Sequence, residues 1–257
     1  MEKSLLYEYF WFGTCVRYLQ DAEESYEVGG TNAVIFNLNR FLELLPRIGL
    51  TVTARTDAVA KLTDFANELS KIEIDRNVKL SAEQANTLRM LMTRARDTLE
   101  AELIEQSVFL VTPKRVDVKK LLENVSDLFP PNVYSLVPEI AQYDFSEAGR
   151  CIAFERPTAA AFHMLRGTEA MLRHFYSALI RRKRVDPLLW GPMVSDLRKR
   201  SRTKKYATLY NNLDNIRTSY RNPTQHPDAI YDIHEVQDLW GLCTEVVSRM
   251  TRILPTT

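Results

Sequence analysis

Apolar residues recur at three- and four-residue spacing along most of the chain, and strict alternation is rare. The pattern predicts an all-α, mainly helical protein. Residues 5–23 and 32–49 read as amphipathic helices, separated at Gly29-Gly30. Two longer helices follow over 55–72 and 81–105. The second opens on Ser81 with Glu83 and Gln84 close behind, a helix-start pattern. "QSVFLVTP" (106–113) is a short extended run with no evident partner strand. Residues 117–127 read as helical, and "FPPNVYSLVP" (129–138) as a loop. A run of helices then occupies 144–155, 157–183, 192–200, 204–220 and 233–254, with Pro157 suited to a first helical turn. The loop at 128–138 places a domain boundary near 140. The expected organisation is a helical N-terminal region, 1–139, and a helical bundle, 140–257. No internal repeat or low-complexity tract is present.

Composition agrees with a globular protein: 257 residues, 45% hydrophobic and 26% charged. The formal net charge of +1 conceals an uneven distribution. Residues 181–205 hold ten Lys/Arg against two Asp, leaving the rest of the chain acidic. Within that segment Arg198, Lys199, Arg200, Arg202, Lys204 and Lys205 are candidates for a phosphate backbone, with Trp190 and Tyr206 near enough to stack bases. A solvated basic loop between helices is the competing reading. Cys15, Cys151 and Cys243 are isolated, which argues against a disulfide framework and a structural zinc. No apolar run approaches the ~18 residues that span a bilayer. The N-terminus lacks the layout of a signal peptide, so a cytoplasmic location without membrane contact is expected. No Walker A loop, dinucleotide fingerprint or Ser-based elbow is found, and no cofactor is expected.

The segment 219–232, "SYRNPTQHPDAIYD", carries the candidate chemistry. Arg221 and His226 stand five residues apart, with Asn222 and Pro223 directly after the Arg. An Arg five to seven residues before a His arises about once by chance in this composition, so spacing alone is weak. Arg156 and His163 show it too, and that pair reads as non-catalytic. His163 and His174, on the 157–183 helix, read as packing or surface histidines. His226, Asp228, Asp232 and His234 match no metal-binding spacing. Arg221 and His226 differ by their setting, a proline-flanked turn between two helices. Histidine can give or take a proton near neutrality, and arginine offers a charged planar fork to phosphate oxygens. Asn222 can donate to a phosphate or orient the imidazole. On the long helix, Glu169 shares a mainly apolar face with Phe162, Leu165 and Leu172, so it needs a partner. Arg166, Arg173 or, through space, Arg221 could supply it. A structural ion pair and a supporting site role both remain open.

"R-N-P-T-Q-H" after a helix resembles the Arg-polar-x3-His signature of the HEPN superfamily. "AGRCIAFERPTAAAFHMLRGTEAMLR" is similar to a helix pair in a bacterial HEPN-containing group, and "RNPTQHPDAIYDIHEVQDLW" to the end of that group. The resemblance covers roughly 140–253. It implies a HEPN-type helical bundle with an N-terminal helical extension. The implied activity is metal-independent RNA cleavage in bacterial defence or a toxin–antitoxin pair, leaving a 2′,3′-cyclic phosphate and a 5′-hydroxyl. It also implies a homodimer whose two Arg221–His226 motifs share one cleft, RNA as ligand, and an antitoxin or other defence protein as partner. The alternatives are a non-catalytic binding or dimerisation module, and the target of a nucleotidyltransferase with Tyr220 or Tyr231 as acceptor.

Overall fold

The structure is a computed structural model that describes residues 6–72, 78–201 and 204–254. Regular structure among these residues is helical, apart from one isolated antiparallel bridge between Glu27 and Lys79. The chain divides into two compact units, Met1–Phe109 and Leu110–Thr257.

The first unit holds α1 (Leu6–Gln20), α2 (Val34–Arg47), α3 (Asp57–Ser70) and α4 (Ala82–Glu105). Each helix packs on the next, and α4 returns to α1. Their apolar stripes meet in a core that includes Phe12, Leu38, Phe41, Leu62 and Leu88. α4 starts as its sequence predicts. The Ser81 hydroxyl accepts from the Gln84 N–H at 3.2 Å, and the Gln84 side chain accepts from the Ser81 N–H at 2.9 Å. The aromatic N-terminal helix is divided between two environments. Phe12, Cys15 and Leu19 are buried, whereas Leu6, Tyr7 and Phe10 are exposed.

The second unit begins 30 residues before the boundary expected at 140, and the intervening chain explains why. Leu121, Val125, Phe129, Val133 and Val137 all belong to the second core. Upstream, the Arg115 N–H donates to Gln237 Oε1 at 2.7 Å, and the Lys114 ammonium lies 2.9 Å from Glu155. These contacts tie the stretch after residue 110 to its own unit. The run at 106–113 forms no ladder, and Val108, Phe109 and Leu110 are exposed.

This unit contains α5 (Val118–Glu123), α6 (Glu139–Ala153), α7 (Pro157–Leu179), α8 (Trp190–Arg200), α9 (Ala207–Ile216), α10 (Asn222–Thr224) and α11 (Ile233–Ile253). α7 packs between α6 and α11. Phe129, Phe145 and Trp240 meet edge to face at 5.2–6.4 Å between ring centres. Two glycines set the approach of the helices. A Cβ at Gly149 would lie 2.7 Å from the Leu121 carbonyl oxygen, and one at Gly167 would lie 3.1 Å from Asp144 Cβ. Gly167 thus lets α6 come close enough for Asp144 to reach side chains of α7. α6 begins at Glu139, five residues earlier than its periodicity suggests, after Pro138.

The greatest departure from expectation lies at 217–224. The prolines were expected to break the chain into a turn, but α9 runs on through a π-helical turn, Arg217–Arg221, into α10. The Asn222 N–H bonds the Arg217 carbonyl, five residues back. Pro223 has no N–H, and a regular α-helix here would lack one rung and clash at the fourth carbonyl back. Widening the preceding turn absorbs it. Thr224 Oγ1 and Tyr231 Oη both lie within hydrogen-bond distance of the Tyr220 carbonyl, at 2.6 and 3.1 Å, and of each other at 2.7 Å, and hold the end of the helix down.

Candidate functional site

The continuous helix through 224 determines which side chains share a face. Arg221, Thr224 and Gln225 stand at i, i+3 and i+4, and Thr218, Asn222 and His226 at i, i+4 and i+8. The two sets open on separate concavities. Arg221, Thr224 and Gln225 line a groove of about 310 Å³ with Phe162, His163 and Arg166 of α7. Asn222 and His226 line a second, more open one of about 450 Å³ with Thr218, Pro223 and Asp228. Within one chain, Arg221 and His226 therefore flank the helix end and do not face a common cavity.

Arg221 is anchored from α7. Its Nε and Nη2 each lie 3.3 Å from Glu169 Oε2. Glu169 Oε1 accepts from Arg173 Nη2 at 2.7 Å, one turn further along α7. The carboxylate that needed a partner has two, and the through-space partner is Arg221. Its shorter bond goes to Arg173, so Arg221 is the more loosely held cation.

Arg166 does not join them. It turns to Asp144 on α6, with Nε 2.8 and 2.7 Å from the two carboxylate oxygens. Asp144 is fully buried, and its Oδ1 also lies 3.0 Å from His163 Nδ1. Its bond with Asp144 raises the Arg166 guanidinium above its ordinary pKa, against the opposing effect of burial. The Asp144–His163–Arg166 cluster is absent from the sequence reading, which treats His163 as a packing or surface histidine. One signal could have exposed it. Ala141, Phe145, Ala148 and Ile152 mark the buried stripe of α6, and Asp144 falls within that stripe.

His226 is exposed, and its imidazole has no side-chain hydrogen bond among the described residues; its backbone N–H bonds the Pro223 carbonyl at 2.8 Å. Asp232 is committed elsewhere: its Oδ1 accepts from the His234 and Glu235 N–H groups at the start of α11. No group of three or more His, Cys, Asp or Glu among the described residues is placed to hold a metal ion. Tyr231 is buried with its hydroxyl bound to Thr224 and the Tyr220 carbonyl, and Tyr220 packs against the core. The Tyr231 hydroxyl is thus engaged within the unit, and Tyr220 is partly buried.

The basic segment is partly neutralised. Arg198 binds Asn211 Oδ1 and Asp214 Oδ2, each at 2.8 Å. Arg200 binds Asp196 and the Lys183 carbonyl, also at 2.8 Å. Lys199 is exposed, and the Lys205 ammonium sits 5.5 Å from the centre of the Tyr206 ring. Arg202 and the Lys204 side chain lie outside the described residues. Trp190 is a core residue: it is buried, and its Nε1 donates to the Leu213 carbonyl at 3.1 Å. It is not available for base stacking.

Compared with family models, with curated proteins and with solved structures, the chain shows no significant match. No helix among the described residues is long and apolar enough to cross a membrane.

Proposed function

We propose that the second unit is an RNA-binding and RNA-cleaving domain of the HEPN type, completed by a second copy of the chain. The observation that carries the reading is the end of the α9–α10 helix. It presents a loosely held guanidinium on one face, and Asn222 and an unengaged imidazole on the next. Cleavage without a metal needs a base for the 2′-hydroxyl, an acid for the 5′-oxygen and positive charge for the phosphorane. Side chains of these types meet all three needs. A cleft built from two copies, each offering Arg221, Asn222 and His226 to one phosphate, fits the separation of Arg221 from His226 within a chain. Ile140, Tyr143 and Phe162, exposed beside Arg166, supply an apolar face for that second copy. A setting in bacterial defence or a toxin–antitoxin pair, with a protein partner, follows from the resemblance.

A non-catalytic dimerisation module is the second reading. It is favoured by the Glu169–Arg221 contact and by the internal pairing of Arg198 and Arg200. Incubating the purified protein with RNA separates the two. Cleavage that leaves a 2′,3′-cyclic phosphate and disappears in Arg221→Ala and His226→Ala supports the enzyme. Equal degradation by wild-type and His226→Ala protein defeats it. Sedimentation analysis reports the dimer independently.

A further inference from the structure

The Arg221 groove contains a second histidine, and its surroundings are those of a proton-transfer group. Asp144 is fully buried and accepts from Arg166 through both carboxylate oxygens. An aspartate held in this way can only accept a hydrogen bond from His163. In the neutral ring the proton therefore sits on His163 Nδ1, which leaves the Nε2 lone pair on the opposite edge. His163 is part of the groove wall, and Nε2 has no partner among the described residues. A buried carboxylate that fixes the tautomer and direction of an imidazole is the arrangement by which a neutral histidine serves as a base. Arg166, half-exposed beside it, keeps Nη1 free for the same groove, as does Arg221. The charged groups around His163 are thus Asp144 from α6, Arg166 from α7 and Arg221 from the helix end, with Glu169 behind Arg221.

The geometry points to His163, positioned by Asp144, as the base of the proposed RNA reaction, with His226 of the second copy as the acid, because within one chain the two histidines line separate concavities. The assignment rests on the RNA-cleavage reading and adds a second catalytic histidine to each chain. His163 Nε2 takes the proton of the 2′-hydroxyl, and the 2′-oxygen bonds to phosphorus. The bond from phosphorus to the 5′-oxygen breaks, and that oxygen takes a proton from His226. No water, oxidant or further reactant is consumed. Arg221 and Arg166 hold the charge that builds on the non-bridging oxygens.

Single-turnover cleavage of a short RNA tests this with two substrates, one with oxygen and one with sulfur at the 5′-bridging position. A thiolate leaves without a proton, so sulfur removes the need for an acid. His163→Ala and His163→Gln should each lose about 10²–10⁴-fold on both substrates. His163→Gln keeps an amide donor for Asp144, and thermal melting of both variants reports folding. His226→Ala should lose a similar factor on the oxygen substrate and recover on sulfur. Three results overturn the inference while leaving RNA cleavage in place. They are His163 variants within tenfold of wild type beside an inactive His226→Ala, recovery of the His163 variants on sulfur, and failure of His226→Ala to recover. A wild-type protein that leaves both substrates intact, or a His226→Ala protein as fast as wild type, overturns the RNA reading itself.

Discussion

Glu169 on α7 holds Arg221 across 52 residues of sequence, with Arg221 Nε and Nη2 both 3.3 Å from the same carboxylate oxygen. The contact parks a guanidinium at the rim of the groove and sets it in competition with any phosphate that enters. Glu169→Gln removes the competing charge and keeps the shape. It should raise affinity for a short RNA about two- to fivefold, with stability changed by less than about 1 kcal/mol because the pair is partly solvated. Filter binding and thermal melting check the two halves.

Gly149 and Gly241 both lie inside helices, and their surroundings oppose each other. A Cβ at Gly149 would meet the Leu121 carbonyl at 2.7 Å, whereas nothing lies within 4 Å of one at Gly241. Gly149→Ala forces α5 and α6 apart and should destabilise the second unit by about 1–3 kcal/mol. Gly241→Ala should stabilise it by about 0.5–1 kcal/mol, through helix propensity alone. Denaturant unfolding of the two variants gives the signs.

Tyr176 is buried, and its hydroxyl donates to Asp196 at 2.6 Å and accepts from the Val185 N–H at 3.0 Å. Burial raises the phenol, and the Asp196 carboxylate adds to the rise. Tyr176→Phe leaves the Val185 N–H and part of Asp196 unsatisfied. The expected loss is about 1–3 kcal/mol, measured by equilibrium unfolding, with little change in helix content.

Glu102 gives the first unit a pH dependence. Burial raises its carboxyl, but hydrogen bonds from the Thr53 hydroxyl and from the Thr53 and Val52 N–H groups outweigh this and leave the pKa below its ordinary value. A carboxyl depressed by folding contributes stability above its unfolded pKa, and that stability is lost as pH falls through the lower, folded pKa. Glu102→Gln should therefore be less stable by about 0.5–1.5 kcal/mol near neutrality. The gap should begin to narrow near about pH 4, where the unfolded carboxyl protonates, and close as pH falls below the lower, folded pKa. Melting curves of the two proteins across pH 3–7 test the convergence.

The helices were legible because each carries a regular apolar stripe, and the Ser81–Gln84 box because capping is local chemistry. Pairing across elements was less so. Glu169 announces its need for a partner by sitting among apolar neighbours, but three arginines could answer it. Arg173 does so along the same helix, α6 draws Arg166 to Asp144, and the packing of α7 against the α9–α10 helix brings in Arg221. Asp144 sends the same signal, but apolar periodicity starts its helix at that very residue, outside the stripe. Started at Glu139, the stripe would have enclosed it. The prolines misled in a specific way. Pro223 supplies no N–H rung of any kind, but a π-helical turn before it relieves its clash with the fourth carbonyl back, and sequence periodicity has no means of registering one extra residue in a single turn. An aromatic residue near a basic run suggests stacking, whereas the Trp190 indole is needed inside the bundle.

That extra residue has a rotational consequence. Each residue turns an α-helix by about 100°, so widening one turn shifts every later side chain by roughly one position around the axis. Tightening 217–221 to an ordinary α-helix with every residue kept would rotate the 221–226 segment forward by about 100°, whereas deleting one residue within 217–220 would remove the extra residue and leave that segment in phase. In the tightened helix Arg221 would leave its groove, and Tyr220 would swing toward it. The π turn acts as a phase setting for the motif: it decides which of two neighbouring residues faces Glu169, with no change to either residue.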